Sequence, residues 1–249
     1  MRYERTVRAE FVSRPNRFVA NVILDGEPIA VHVKNTGRCR EILVPGAPVV
    51  LYDSGNPERK YRYDLIAAEK DGLLINIDSQ APNRAFHEHI LEGQVFGPDP
   101  KVFPEHTHGD SRFDFYVESG DRRIFAEVKG VTLEFDGVCM FPDAPTERGL
   151  KHVRGLMECV REGYEAYAVF VVQMARMREF VPNAATDPDF AEGLRIAEEN
   201  GVKVLCLGCD VTDDTMRISY GMPHRMARVT RTRRSPSSCS RWCPGPEGA

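Results

Sequence analysis

The sequence predicts a mixed α/β protein: a small β-barrel followed by an α/β sandwich around a mixed sheet. Three observations lead there. Short apolar runs punctuated by Asp-Gly and Pro-Gly pairs fill the first third of the chain, the pattern of closely spaced strands. The period then changes, and helical stretches alternate with apolar strands. At 249 residues with 42% hydrophobic and 28% charged residues, the chain is long enough to bury a core and too apolar for disorder.

The elements follow in order. Residues 17–24, Arg17 to Leu24, read as a strand; Asp25-Gly26 turns the chain, and Pro28 to Val33 returns as a hairpin. Val49 to Tyr52 follows Pro45-Gly46. Leu65 to Ala68 pairs with Leu73 to Ile77 across Asp71-Gly72. About five short strands in such a length suit a barrel of the OB type. Ala85 to Glu92 reads as a helix stopped by Gly93. Phe113 to Val117 and Arg123 to Lys129 alternate as strands. Thr146 caps a helix to about Glu162 whose apolar stripe is Leu150, Val153, Leu156, Met157 and Val160. Ala166 to Met174 is a continuous apolar strand, the kind buried on both faces. Asp187-Pro188 opens a helix that ends at Asn200-Gly201, and Val202 to Cys206 is the final strand. Residues 225–249 are rich in Arg, Ser and Pro without period and read as a disordered, solvated tail that contains Trp242. The division is therefore 1–82, 83–224 and 225–249.

Charge is unevenly distributed. Residues 1–62 are net +4, residues 63–224 net −13 and residues 225–249 net +5. The acidic middle argues against coating nucleic acid by charge alone and suits a pocket that a divalent cation enters before a phosphate does. No apolar run approaches the roughly 20 residues of a spanning helix, so no membrane is expected. The charged start Met1-Arg2-Tyr3-Glu4-Arg5 shows no signal peptide, and a cytoplasmic location is the expectation. Of the seven cysteines, Cys206 and Cys209 form a lone C-x-x-C; Cys239 and Cys243 are poorly placed to complete a zinc site, and buried thiols are the favoured reading.

The chemistry centres on Asp114 and Glu127-Val128-Lys129. Two residues apart on a strand, Glu127 and Lys129 share a face, and a neighbouring strand can bring Asp114 beside them. Two carboxylates offer hard oxygens to Mg²⁺ or Mn²⁺, and a lysine can orient water or offset charge on a phosphoryl group. Glu88 on the preceding helix offers a further carboxylate. Arg148 and His152, at i and i+4 beside Lys151, form a helix face opposite the apolar stripe that can clamp phosphates. On the barrel, Arg14, Arg17, Arg38, Arg40, Arg59, Lys60 and Arg62 interleave with Tyr52, Tyr61 and Tyr63. Basic groups that track a backbone and aromatics that stack on bases are how such barrels hold single strands. Phe18, within an apolar strand, is expected in the core. Asn35-Thr36-Gly37 reads either as a groove-lining loop or as a tight turn.

Several stretches carry a resemblance: Arg17 to Val22, Lys34 to Gly37, Val44-Pro45-Gly46, Pro82-Asn83-Arg84, Ser111 to Phe115, Glu127 to Leu133 and Phe141 to His152. On these the chain resembles the sugar-fermentation-stimulation protein A family from about Phe11 to Leu207. The resemblance implies an OB-like N-terminal domain and a restriction-endonuclease-like domain of the PD-(D/E)xK nuclease type, in a DNA-binding protein linked by name to regulation of sugar use. It places Asp114, Glu127 and Lys129 on the catalytic motif, with Asp114, Glu127 and Glu88 as metal ligands. Together with the residues read above, the candidate DNA contacts are Arg17, Arg38, Arg40, Arg62, Arg112, Arg148, Lys151 and His152. A DNA-binding regulator that keeps the fold without cleaving is the alternative. The tail and the pair Cys39-Arg40 depart from the family pattern.

Overall fold

The computed structural model describes residues 1–35 and 37–226. Thr36, the expected tail beyond Met226, Trp242, Cys239 and Cys243 lie outside the described residues.

The barrel is built from β1 (Thr6–Asn16), β2 (Val19–Leu24), β3 (Glu27–Val33), β4 (Pro48–Asp53) and β5 (Tyr63–Lys70), with β6 (Leu73–Asn76) appended. The sheet order is β3-β2-β1-β4-β5-β6, and parallel pairing of β3 with β5 closes it at His32↔Asp64 and Val33↔Leu65. Both expected hairpin turns form. Asp25 and Gly26 take φ of 52° and 85°, and Asp71 and Gly72 take 51° and 74°, the positive values a two-residue turn between twisted strands requires. β1 lies largely outside the sequence reading. Phe11 is its one fully buried residue, and it bends through two register shifts to serve β2 at one end and β4 at the other.

The second half contains α1 (Ala81–Leu91), β7 (Lys101–His108), β8 (Ser111–Ser119), β9 (Arg122–Val131), β10 (Leu133–Phe135), β11 (Val138–Phe141), α2 (Glu147–Arg161), β12 (Glu165–Val172), β13 (Glu179–Pro182), α3 (Pro188–Glu199), β14 (Lys203–Val211) and β15 (Met216–Gly221). Its main sheet runs β15-β14-β12-β9-β8-β7. β9, β12 and β14 are parallel, and the outer strands are antiparallel. β7 and β15 are additions to the expected elements, and α1 starts four residues before Ala85.

Helix caps follow the expected chemistry. The Thr146 side chain accepts from Gly149 N–H, and the Asp187 side chain from Phe190 N–H. α1 covers one face of the sheet, where Phe86 and Ile90 meet Val128, Val169 and Val171. α2 and α3 cover the other, where Leu156 and Phe190 meet Phe125 and Phe170. β12 is apolar from Ala166 to Val172 because both of its faces are covered there. The barrel is not a separate bead: Val50, Ile66 and Ala67 on its outer wall join the core under α1. Leu65 to Ala68 is thus a continuous apolar run because Leu65 and Ala68 fill the barrel core while Ile66 and Ala67, either side of a register shift, fill the core under α1.

The described cysteines are all buried thiols. Cys206 and Cys209 lie in different cores, on opposite faces of β14, so the C-x-x-C does not form a ligand pair. Burial pushes the Cys209 thiol up to about 12. Among the described residues, no helix is long and apolar enough to cross a membrane.

Candidate active site

The site forms where β8 and β9 part. Their ladder runs from Ser119↔Arg122 to Phe115↔Ala126 and stops there. Beyond it the Asp114 side chain takes the place of a strand partner. Its Oδ2 accepts from Val128 N–H at 2.7 Å, and its Oδ1 accepts from Asn83 Nδ2 of α1 at 2.8 Å. β9 stays paired with β12 on its other edge, through Ala168↔Glu127 and Phe170↔Lys129, which fixes the orientation of both motif residues.

Glu127 is 4% exposed. Its Oε1 accepts from Lys129 Nζ at 2.5 Å and from His152 Nδ1 of α2, which carries the hydrogen because a carboxylate only accepts. Its Oε2 is buried without a partner. The two acids have opposite electrostatics. Burial, reinforced by the nearby Glu127 charge, pushes the Asp114 carboxyl above the usual carboxylate range, against the pull of Val128 N–H, Lys129 and Asn83. Burial also disfavours the Glu127 charge, but His152 and Lys129 outweigh it and hold Glu127 low. The site therefore contains a half-buried acid and a fully buried one that resist joint ionisation, one lysine, and one orphaned carboxylate oxygen.

The structure brings together Asp114, Glu127, Lys129 and His152, and not Glu88. Glu88 is half exposed and pairs with the Met1 ammonium at 2.5 Å. It lies five residues beyond Asn83, about 140° around the helix, so both cannot face the site. The α1 side chain on Asp114 is Asn83, which the sequence reading passed over inside the Pro82-Asn83-Arg84 stretch. Among the described residues no third His, Cys, Asp or Glu completes a metal-ligand group. The pair still fits Mg²⁺ or Mn²⁺, because Mg²⁺ commonly binds through one or two carboxylates and keeps several waters. An orphaned buried oxygen beside a carboxyl that resists ionisation is a donor pair that a divalent cation would satisfy.

His152 also departs from expectation. It belongs to the buried face of α2 with Gly149, Val153 and Leu156, and it supports Glu127 instead of reaching a phosphate. Arg148 and Lys151 are exposed as expected. Arg62 is bound to Asp53 at 2.6 Å, and its hydrogen bonds hold that carboxyl down to about 2. Arg112 is paired with Glu105, and Arg59 with the buried Asp64. Arg17, Arg38 and Arg40 instead line one cleft of about 280 Å³ on the barrel. Arg14, beside them, donates to the carbonyls of Arg17, Asn35, Gly37 and Arg38 and so braces the loop. Phe18 is 47% exposed, with Arg17 over its ring, and is not a core residue.

Comparison with known proteins bears directly on this arrangement. Residues 12–77 match the SfsA N-terminal OB domain, and residues 80–215 match the sugar fermentation stimulation protein RE domain. The chain belongs to the sugar fermentation stimulation protein family. A sugar fermentation stimulation protein homolog of Clostridium beijerinckii is 47% identical over 218 residues, covering 88% of this chain and 96% of the relative. A homolog of Desulfitobacterium hafniense is 51% identical over 216 residues, covering 87% and 94%. A solved structure described as Pyrococcus furiosus SfsA in complex with Ca²⁺ matches with a TM-score of 0.78 at 27% identity, covering 90% of this chain and 98% of that one. Asp114, Glu127 and Lys129 all fall within the segment matched by the family's RE domain.

Proposed function

We propose that this chain is a DNA-binding protein whose RE domain carries a divalent-cation-dependent, phosphodiester-hydrolysing site, acting in the cytoplasm. One observation carries the reading: the Oε2 of Glu127 is buried, charged and without a partner, beside the carboxyl of Asp114. A buried carboxylate oxygen without a partner is costly even where Lys129 and His152 offset the charge through the other oxygen, and a cation held by both acids would remove the cost. The Ca²⁺ in the description of the P. furiosus relative supports the same reading.

Asp114 and Glu127 would hold Mg²⁺ or Mn²⁺, and the ion would supply Lewis-acid polarisation of a phosphoryl oxygen. Asn83 and Val128 N–H keep the Asp114 carboxyl in place. His152 fixes the carboxyl of Glu127 from below. Lys129, one-fifth exposed, is the motif cation on the open side; it can orient the attacking water and offset charge gathering on phosphorus. Arg148 and Lys151, exposed on the first turns of α2, are placed to take flanking phosphates.

A second reading, a DNA-binding regulator without cleavage, is favoured by the Lys129–Glu127 ion pair and by the two-carboxylate site. The test is incubation with plasmid and oligonucleotide DNA in Mg²⁺ or Mn²⁺ and then in chelator, with Glu127→Ala and Lys129→Ala alongside. Metal-dependent cleavage lost in both variants is the expected result. Binding without cleavage in any metal establishes the regulator reading, and cleavage that survives both substitutions overturns the site.

A further inference from the structure

Two clefts meet at the loop after β3. The first, on the barrel wall, holds Arg17, Arg38 and Arg40 over the Arg14 brace. The second, of about 440 Å³, lies between the barrel and the RE sheet and is lined by Asn35, Gly130, Phe141, Asp143, Thr146 and Gln173 among others. Gly37 and Arg38 line both. The two clefts are therefore contiguous at Arg38.

Their chemistries differ. In the first, none of Arg17, Arg38 and Arg40 has a carboxylate partner among the described residues, unlike Arg59, Arg62 and Arg112. Three unpaired guanidiniums in one concavity suit phosphates. Phe18 lies beside them with a half-exposed ring, a surface on which a base can stack. The second cleft has one lining cation, Arg38, and one lining acid, Asp143; its other groups are neutral hydrogen-bonding side chains and apolar walls. That lining suits a nucleobase better than a phosphate. On its wall, Gly130 directly follows Lys129 on β9, and Thr146 is the N-cap of α2, the helix whose His152 holds Glu127. In an intact duplex the base faces are stacked inside, so neither Phe18 nor the second cleft can be filled without unstacking.

We propose that the two clefts form one path for single-stranded DNA. Phosphates lie on Arg17, Arg38 and Arg40, one base stacks on Phe18, another enters the inter-domain cleft, and the strand is delivered to Glu127 and Lys129. Arg38 is the junction and the specificity-determining residue. The inference rests on the DNA reading above and adds the substrate class, single strands and frayed ends.

The test is fluorescence anisotropy in chelator, with a labelled single strand of about 20 nucleotides and a hairpin duplex of the same length. Arg38→Ala and Phe18→Ala alter exposed side chains, so folding is expected to survive, and thermal unfolding checks it. Arg217→Ala, an exposed arginine paired with Glu92 on the edge strand β15, is the control. The expected result is a single strand bound at least about tenfold tighter than duplex, and a loss of about fivefold or more in each of the two variants but not in the control. Duplex bound as tightly as the single strand, variants that bind like the parent, or no binding to either form overturns the path. The two readings separate in Mn²⁺. Closed circular duplex cut as fast as a single strand defeats the path and leaves the hydrolytic site standing. No cleavage of any DNA, with the strand preference and the Arg38 effect intact, defeats the hydrolytic site and leaves the path standing.

Discussion

Replacing Asp114 by Asn is expected to stabilise the metal-free protein and to abolish its stabilisation by metal. The geometry permits the exchange. Asn keeps one oxygen to accept from Val128 N–H, and a flip of the Asn83 amide turns its oxygen toward the new NH₂ group, so both hydrogen bonds survive. The half-buried charge is removed. Burial and Glu127 together outweigh the groups that favour ionised Asp114, which is why its pKa is raised. At neutral pH the charge is therefore a net cost to folding, and its removal is worth on the order of 1 kcal/mol, or about 2–4 °C in Tm for a chain of this length. The sign fixes the pH dependence. For a raised carboxyl the penalty is present above the folded pKa and vanishes below the unfolded one, so the variant's advantage shrinks as pH falls. With Mn²⁺ the order reverses. A cation at about 100 times its Kd stabilises the parent by about 2.7 kcal/mol, roughly 5–10 °C, and leaves the variant unmoved. Thermal unfolding by circular dichroism in chelator and in Mn²⁺ measures all four values. A variant less stable than the parent in chelator, or an equal Mn²⁺ shift in both, refutes the reasoning.

Three further predictions concern the surroundings of the site. His152→Asn shortens the group that holds Glu127 from α2 and leaves a buried carboxylate supported by Lys129 alone; a loss of about 1–3 kcal/mol in urea unfolding is expected, with weaker Mn²⁺ binding by calorimetry. Gly130→Ala would set a Cβ at 2.7 Å from Pro82 Cγ and closer still to the Gln173 amide oxygen, so the barrel–sheet junction must shift; about 1–3 kcal/mol of destabilisation is expected, and unchanged stability would show the junction to be loose. Arg148→Ala and Lys151→Ala, both at exposed positions, should leave Tm within about 1 °C and each lower the salt slope of DNA binding by about one.

The sequence made the fold legible where local chemistry is strong. Asp25-Gly26 and Asp71-Gly72 have few other uses than tight turns, and Thr146 and Asp187 sit at helix starts where their side chains close N–H groups. β1 and β7 were obscure for a shared reason: each presents little buried surface. β1 changes partner along its length, and β7 is an edge strand interrupted by Pro104 and by Glu105 at φ 53°. β15 carried a readable signal, since Met216 and Ile218 are buried and alternate with exposed Arg217 and Ser219.

At the site, the strand period alone put Glu127 and Lys129 on one face. The helices were harder. The charged pair Arg148 and His152 suggests a polar face of α2, whereas His152 lies four residues before Leu156 and seven before Cys159, on the buried stripe. Charge and order in the chain point to Glu88, but only rotation about α1 decides which side chain reaches Asp114, and that is Asn83. Phe18 precedes β2, and chain direction there turns it outward.

The proposed hydrolytic site requires a divalent cation lodged between Asp114 and Glu127. An anomalous difference map from a crystal of the full chain soaked in Mn²⁺ tests this most directly. A peak within coordination distance of both carboxylates, at the orphaned oxygen of Glu127, is the predicted result. A map with no peak there, or with Mn²⁺ bound only at other acids, contradicts it.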